Sequence, residues 1–197
     1  MNIKSETMLR RTLRIALSLT VICICVALAV SVSYTLTRDK IEEKRIATER
    51  AAISAVFEAD GIEYRSLDGA PDTVSAVFEV SSASGDILGW AVSVSPSGFG
   101  GNIDMIVGIG HDGKIVGVNI TALSETPGLG SRVNDANYLS QYIGISGKPA
   151  LGTDVDAISG ATISSRSVLS GVNRALAAVV GMELVPAERR IRKEETE

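Results

Sequence analysis

From Ile15 to Leu36 the chain runs for 22 residues, IALSLTVICICVALAVSVSYTL, without a charged side chain. As a helix this stretch is about 33 Å long, enough for a hydrocarbon core of about 30 Å. A cleaved signal peptide has a shorter apolar core of about 7–15 residues, and here apolar sequence continues well past Ala27-Leu28-Ala29, the triplet that imitates a cleavage site. We therefore read 15–36 as a retained transmembrane helix. The arm before it, 1–14, holds Lys4, Arg10, Arg11 and Arg14 against Glu6 alone. That bias places the N-terminus in the cytoplasm and everything after Leu36 on the far side of the membrane.

Beyond Leu36 lie 161 residues, the size of one domain with a core of its own. The whole chain has 19 Lys and Arg against 23 Asp and Glu and a net charge of -4. It is thus not a nucleic-acid binder built on a basic face. Both cysteines, Cys23 and Cys25, fall inside the apolar run, which leaves the exported part without a disulfide or thiolate metal site. His111 is the one histidine, which argues against a Ser-His-Asp triad and a multi-histidine metal site. No catalytic residue and no metal ligand is assigned.

Residues 37–60 contain no Gly or Pro and read as a juxtamembrane helix that docks on the domain and stops at Asp60-Gly61. The runs 74–80, 87–95, 103–109 and 115–121, rich in β-branched residues, read as strands. His111-Asp112-Gly113-Lys114 is expected to be a hairpin turn with both central residues at positive φ and His111 exposed. A helix is expected over 131–143. A second over 163–180 shows helical spacing of Val168, Val172, Ala175, Leu176 and Val179, with Gly181 placed to cap its end. The last stretch, 186–197, is a charged tail. The predicted fold class is α+β, with one N-terminal transmembrane helix and a single exported domain, 61–185, whose mainly antiparallel sheet is packed by helices.

Asp156-Ala157-Ile158-Ser159-Gly160-Ala161-Thr162 opens the long helix with small residues and hydroxyls. Free N–H groups and the dipole at a helix start favour a phosphate, and the simplest other use of Thr or Ser there is a cap. The stretch resembles the Asp-x-x-(Ser/Thr)-Gly-Ala-Thr signature of the FMN-binding domain family, in which FMN is joined covalently by a phosphoester to the threonine hydroxyl. Glu125-Thr126-Pro127-Gly128-Leu129-Gly130, followed by Ser131 and Arg132, resembles the Glu-Thr-Pro-Gly-Leu-Gly loop of the same membrane-associated domains. Gly98-Phe99-Gly100-Gly101-Asn102-Ile103 is similar to that family's Gly-aromatic-x-Gly turn. Leu123-Ser124, ahead of the middle motif, departs from the more polar residues of relatives.

With one anchor, about 200 residues and three motifs in this order, the chain resembles the G subunits of Rnf electron-transport complexes. The resemblance implies covalent FMN on Thr162, with Ser159, Gly160, Ala161, Glu125, Thr126, Gly128, Leu129 and Gly130 as further cofactor-binding residues. It implies that Asp156 serves recognition by a dedicated Mg-dependent flavin transferase (ApbE type) that uses FAD as donor. The partners implied are the other membrane and iron-sulfur subunits of a complex coupling electron flow between ferredoxin and NAD to Na+ or H+ movement. The exported location implied is the extracytoplasmic face of the cytoplasmic membrane. Trp90, Tyr138 and Tyr142 are read as core residues. Two alternatives stand beside this reading: the C-type subunit of a sodium-pumping NADH:quinone oxidoreductase, and a single-pass sensor or assembly protein with an FMN-type domain.

Overall fold

The structure is a computed structural model that describes residues 3–58 and 61–185, so the charged tail, 186–197, and the helix stop at Asp60 lie outside the described residues. The chain divides into two compact units, Met1–Ala47 and Thr48–Glu197.

One helix, α1 (Ile3–Phe57), supplies the described part of the first unit and enters the second. Its stretch Leu13–Val32 is long and apolar enough to cross a membrane, with a mean hydropathy of 2.8 and no residue buried by protein. Such a surface is unfavourable in water and suits a lipid environment or another apolar surface. Within the second unit α1 changes character, because Ala52, Ile53 and Val56 recur at helical spacing and are buried.

Five strands follow: β1 (Glu63–Leu67), β2 (Ala76–Ser81), β3 (Ile87–Val94), β4 (Ile103–Gly110) and β5 (Ile115–Leu123). Each pairs antiparallel with the next, so the order in the sheet is the order in the chain. Alternation sends Val77, Trp90, Val92, Met105 and Val107 to one face and Phe78, Val80, Ala91 and Ile106 to the other. The first face is covered by the long helix α3 (Thr162–Gly181), through Val168, Val172, Ala175, Leu176 and Val179. The second is covered by Ala52, Ile53 and Val56 of α1. Burial on both faces explains why β3 and β4 read as nearly continuous apolar runs.

The end of α1 approaches the sheet at a notch formed by Gly108 of β4 and its register partner Gly117 of β5. A Cβ on Gly108 would collide with Val56, and one on Gly117 would sit 2.9 Å from the Val56 carbonyl oxygen. Gly108→Ala is expected to destabilise the domain by about 1–3 kcal/mol through overpacking. Val56→Ala should restore part of that loss in the double variant. Denaturant unfolding of the four proteins gives the coupling, and strictly additive losses would mean that the helix does not seat in the notch.

Four expectations need correction or extension. The predicted helix over 131–143 is three short pieces: a 3-10 turn at Gly130–Asn134, α2 (Ala136–Leu139) and a second 3-10 turn at Ser140–Tyr142. Asp135, with φ -69° and ψ 134°, is extended and breaks the helix. The hairpin after β4 has positive φ at Gly113 alone (76°), and the Gly113 N–H donates to the Gly110 carbonyl at 2.9 Å. It is a wider turn closed by one left-handed glycine. His111 is exposed there as expected. At the end of α3 the left-handed residue is Glu183, with φ 59°, so Gly181 is an ordinary last helical residue. The edge strand β1 is new; its pattern, largely exposed, carries no apolar alternation.

Candidate functional site

The segment before α3 is pinned at both ends of a tight turn. The Ala161 N–H donates to the Ile158 carbonyl at 2.9 Å, with Gly160 at φ 81° between them, a conformation that suits glycine. Ser165, buried in the first turn of α3, accepts from the Ile158 N–H at 3.1 Å and donates to the Ala161 carbonyl at 3.0 Å. Its carbonyl accepts the Tyr138 hydroxyl at 3.3 Å. Ala161 occupies the N-cap position and provides no side-chain cap, so neither Thr162 nor Ser159 is a capping residue. Thr162 is the first residue of α3 and is exposed, as is Ser159. The free N–H groups of this first helical turn, with the positive end of the helix dipole, make the start of α3 favourable for an anion.

The loop after β5 closes on that same place. Leu129 Cδ1 lies 3.1 Å from where a Cβ on Gly160 would be. Gly130 is buried, and a Cβ there would collide with the Glu125 carboxylate and come within 2.8 Å of Ser164 Oγ. Thr126, Pro127, Gly128 and Leu129 remain exposed. The Thr126 carbonyl accepts from the N–H groups of Leu129 and Ser131, each at 3.2 Å, and the Gly128 N–H donates to Ser131 Oγ at 2.8 Å.

Glu125 joins the turn at Gly98–Gly101 to its own loop. Its Oε1 accepts the Phe99 N–H at 2.7 Å, at the tip of a turn closed by the Gly98 N–H on the Gly101 carbonyl. Its Oε2 is buried without a hydrogen-bond partner, on the side of Gly130. The carboxylate thus ties the Gly98–Gly101 turn to the 125–130 loop. Phe99 itself is left 69% exposed.

Asp156 is exposed and lines a groove of about 510 Å³ with Arg132, Asp135, Asn137 and Gln141. Its N–H donates to Gln141 Oε1 at 2.8 Å, which fixes the start of the turn and leaves its carboxylate toward solvent. Trp90, Tyr138 and Tyr142 are core residues, as read from the sequence. The hydroxyls of Tyr138 and Tyr142 are 3.0 Å apart, and burial raises both phenols above the usual tyrosine value, Tyr142 strongly. Sequence reasoning missed Ser165, Gln141 and Tyr138 as the residues that hold the turn. The available signal was the Ser164-Ser165 pair, which falls at helical spacing on the face that carries Val168 and Val172. Among the described residues no group of His, Cys, Asp and Glu is arranged to hold a metal ion.

Residues 98–177 match the family described as FMN-binding domain. The matched stretch holds the turn at Gly98, the loop at 125–130 and the start of α3, which are the three segments that converge in space. Over 117 residues the chain is 34% identical to the G subunit of the Na+-translocating ferredoxin:NAD+ oxidoreductase complex of Acetobacterium woodii, covering 54% of this chain and 56% of that one. It is 37% identical over 95 residues to the G subunit of an ion-translocating oxidoreductase complex of Shewanella baltica, covering 43% and 45%. The G subunit of the corresponding complex of Methanosarcina acetivorans is 26% identical over 159 residues, covering 76% and 85%. The chain thus spans about half the length of the first two relatives. A crystal structure of NqrC from Shewanella oneidensis aligns with a TM-score of 0.49 at 22% identity, covering 67% of this chain and 86% of that one.

Proposed function

We propose that the chain is a membrane-anchored electron-relay subunit of an Rnf-type complex, with FMN held covalently on Thr162 and the FMN-binding domain on the extracytoplasmic side. The observation that carries this reading is the meeting of three segments similar to FMN-binding-domain motifs beside the start of α3, whose first residue, Thr162, carries an exposed hydroxyl. The residues present fit the group. The first-turn N–H groups of α3 receive the phosphate charge, and the Thr162 hydroxyl, which has no hydrogen-bond partner among the described residues, is open to modification. At Gly130 and Gly160 a side chain would crowd the closure of the two loops.

When bound, FMN supplies the redox chemistry, and the protein supplies attachment, orientation and electrostatics. In attachment, Thr162 Oγ1 would lose its proton and take the flavin phosphate from FAD, with AMP as the leaving group. A flavin transferase performs this step, and Asp156 is its recognition point, since that carboxylate faces solvent while its own N–H is fixed by Gln141. Ser159, Gly160 and Ala161 present the turn, and Glu125, Thr126, Gly128, Leu129 and Gly130 form the opposing wall. Thr126 and Leu129 offer the exposed polar and apolar contacts there. The protein acts with the membrane and iron-sulfur subunits of a complex that couples electron transfer between ferredoxin and NAD to movement of Na+ or H+.

Flavin fluorescence of the denatured chain under ultraviolet light, after co-expression with the transferase, tests the covalent bond. A dark band would sink it. The placement of the domain is tested separately. Lys193→Cys is expected to react with a membrane-impermeant thiol reagent in intact spheroplasts, and labelling that waits for lysis would reverse the orientation.

A further inference from the structure

Lys148, Arg166 and Arg174 line one groove of about 450 Å³ along the outer side of α3. Its lining contains no acidic residue; Leu169 and Ser170 lie between the two arginines, and Ala177 follows Arg174. Among the described residues none of the three cations has an ion pair or a side-chain hydrogen bond, whereas Arg65 is paired with Glu79 and Lys114 with Asp112. Residues 48–185 hold 15 Asp and Glu against seven Lys and Arg, so three of the seven cations of an acidic domain are gathered at one place. Like charges so placed repel one another, and the field they create attracts an anion.

We propose that this groove docks an acidic peptide segment of a partner protein. The spacing favours that occupant. Arg166 and Arg174 are eight residues apart on one helix, about 12 Å along its axis. A single phosphate or carboxylate does not bridge that distance, while four residues of extended chain cover about 13 Å. Two carboxylates at positions i and i+4 of an extended segment therefore meet the two arginines. An apolar residue midway between the two carboxylates falls on Leu169, and Lys148, also in the lining, is available to a third carboxylate or the chain end. Arg166 lies one helical turn beyond Thr162, so a segment held here brings its parent protein beside the start of α3. That consequence alone rests on the flavin reading; the binding does not.

The test uses the full chain in a neutral detergent and a fluorescein-labelled, end-capped peptide, Glu-Gly-Leu-Gly-Glu, followed by fluorescence anisotropy. Binding is expected to fall steeply between about 20 and about 200 mM salt as the charges are screened. It should weaken about tenfold in Arg166→Gln and in Arg174→Gln, and again when both glutamates are replaced by glutamine. Arg65→Gln is expected to leave it unchanged. All of this should hold in chains with and without covalent flavin, which separates failure of this proposal from failure of the attachment site. Circular dichroism checks that the variants fold, and Lys148→Gln serves where one of them does not. Equal binding of the glutamine peptide, or indifference to both arginines, would overturn the proposal. So would capture of the chain by phosphatidylglycerol vesicles through these arginines with no affinity for the peptide, which would make the ligand a lipid surface.

Discussion

Thr162→Ala is expected to abolish covalent flavin while leaving the domain folded. Thr162 is the first residue of α3, not its cap, so the substitution removes no capping bond. Its side chain is exposed, and alanine is the better helix former, which keeps the change in stability within about 1 kcal/mol. The variant thus separates chemistry from folding. In-gel fluorescence reports the flavin, and the unfolding midpoint reports the fold. Ser159→Ala should remain fluorescent, since the proposed acceptor is Thr162 Oγ1. Asp156→Ala should show reduced fluorescence with an unchanged midpoint, because its side chain faces solvent and the Gln141 contact uses only its backbone. Covalent flavin persisting in the Thr162→Ala protein would move the acceptor elsewhere.

Tyr142→Ala is expected to have the largest effect on stability. Tyr142 is fully buried and heads the large side chains of the core, and truncating an aromatic of this kind costs about 3–5 kcal/mol. The loss has a second effect. Tyr142 supports the Tyr138 hydroxyl, which in turn holds the Ser165 carbonyl in the first turn of α3, so flavin attachment should fall along with stability. The same pair gives an alkaline signature. Burial raises both phenol pKa values, so the folded state keeps protons that the unfolded chain releases near pH 10. Stability from this source is fully present below that pH and declines as pH rises through and above it. Tyr142→Phe, which keeps the ring, should flatten that decline in urea titrations at successive pH values. An unaltered alkaline slope would mean that other groups set it.

Much of this fold was legible because periodicity and burial agree. Val92, Met105 and Val107 alternate in register with the face beneath α3, and Val168, Val172 and Ala175 repeat at the helical period. The edge strand β1 escaped notice because Glu63-Tyr64-Arg65-Ser66-Leu67 is stabilised by backbone pairing to β2, which leaves no apolar pattern. The break at Asp135 escaped because the spacing from Val133 to Tyr138 and on to Tyr142 passes for a helical face, although extended backbone at one position resets it. In the candidate site the motifs named the segments but not how they are held. Glu125 shows the difference: its carboxylate binds the Phe99 N–H and lies against Gly130, a role set by residues distant in sequence.

The strand order also governs the time course of assembly. Each strand pairs with the one synthesised just before it, so the sheet from Glu63 to Leu123 closes through short loops of low entropic cost. α3 is the last described helix, and the apolar face it buries has its partner only in the formed sheet, so its seating depends on that sheet. Until then Thr162 belongs to an open chain in which Leu129 and Gly160 are not neighbours. For a transferase that reads the closed turn, the modifiable form is the finished domain, and the covalent mark records that folding was completed.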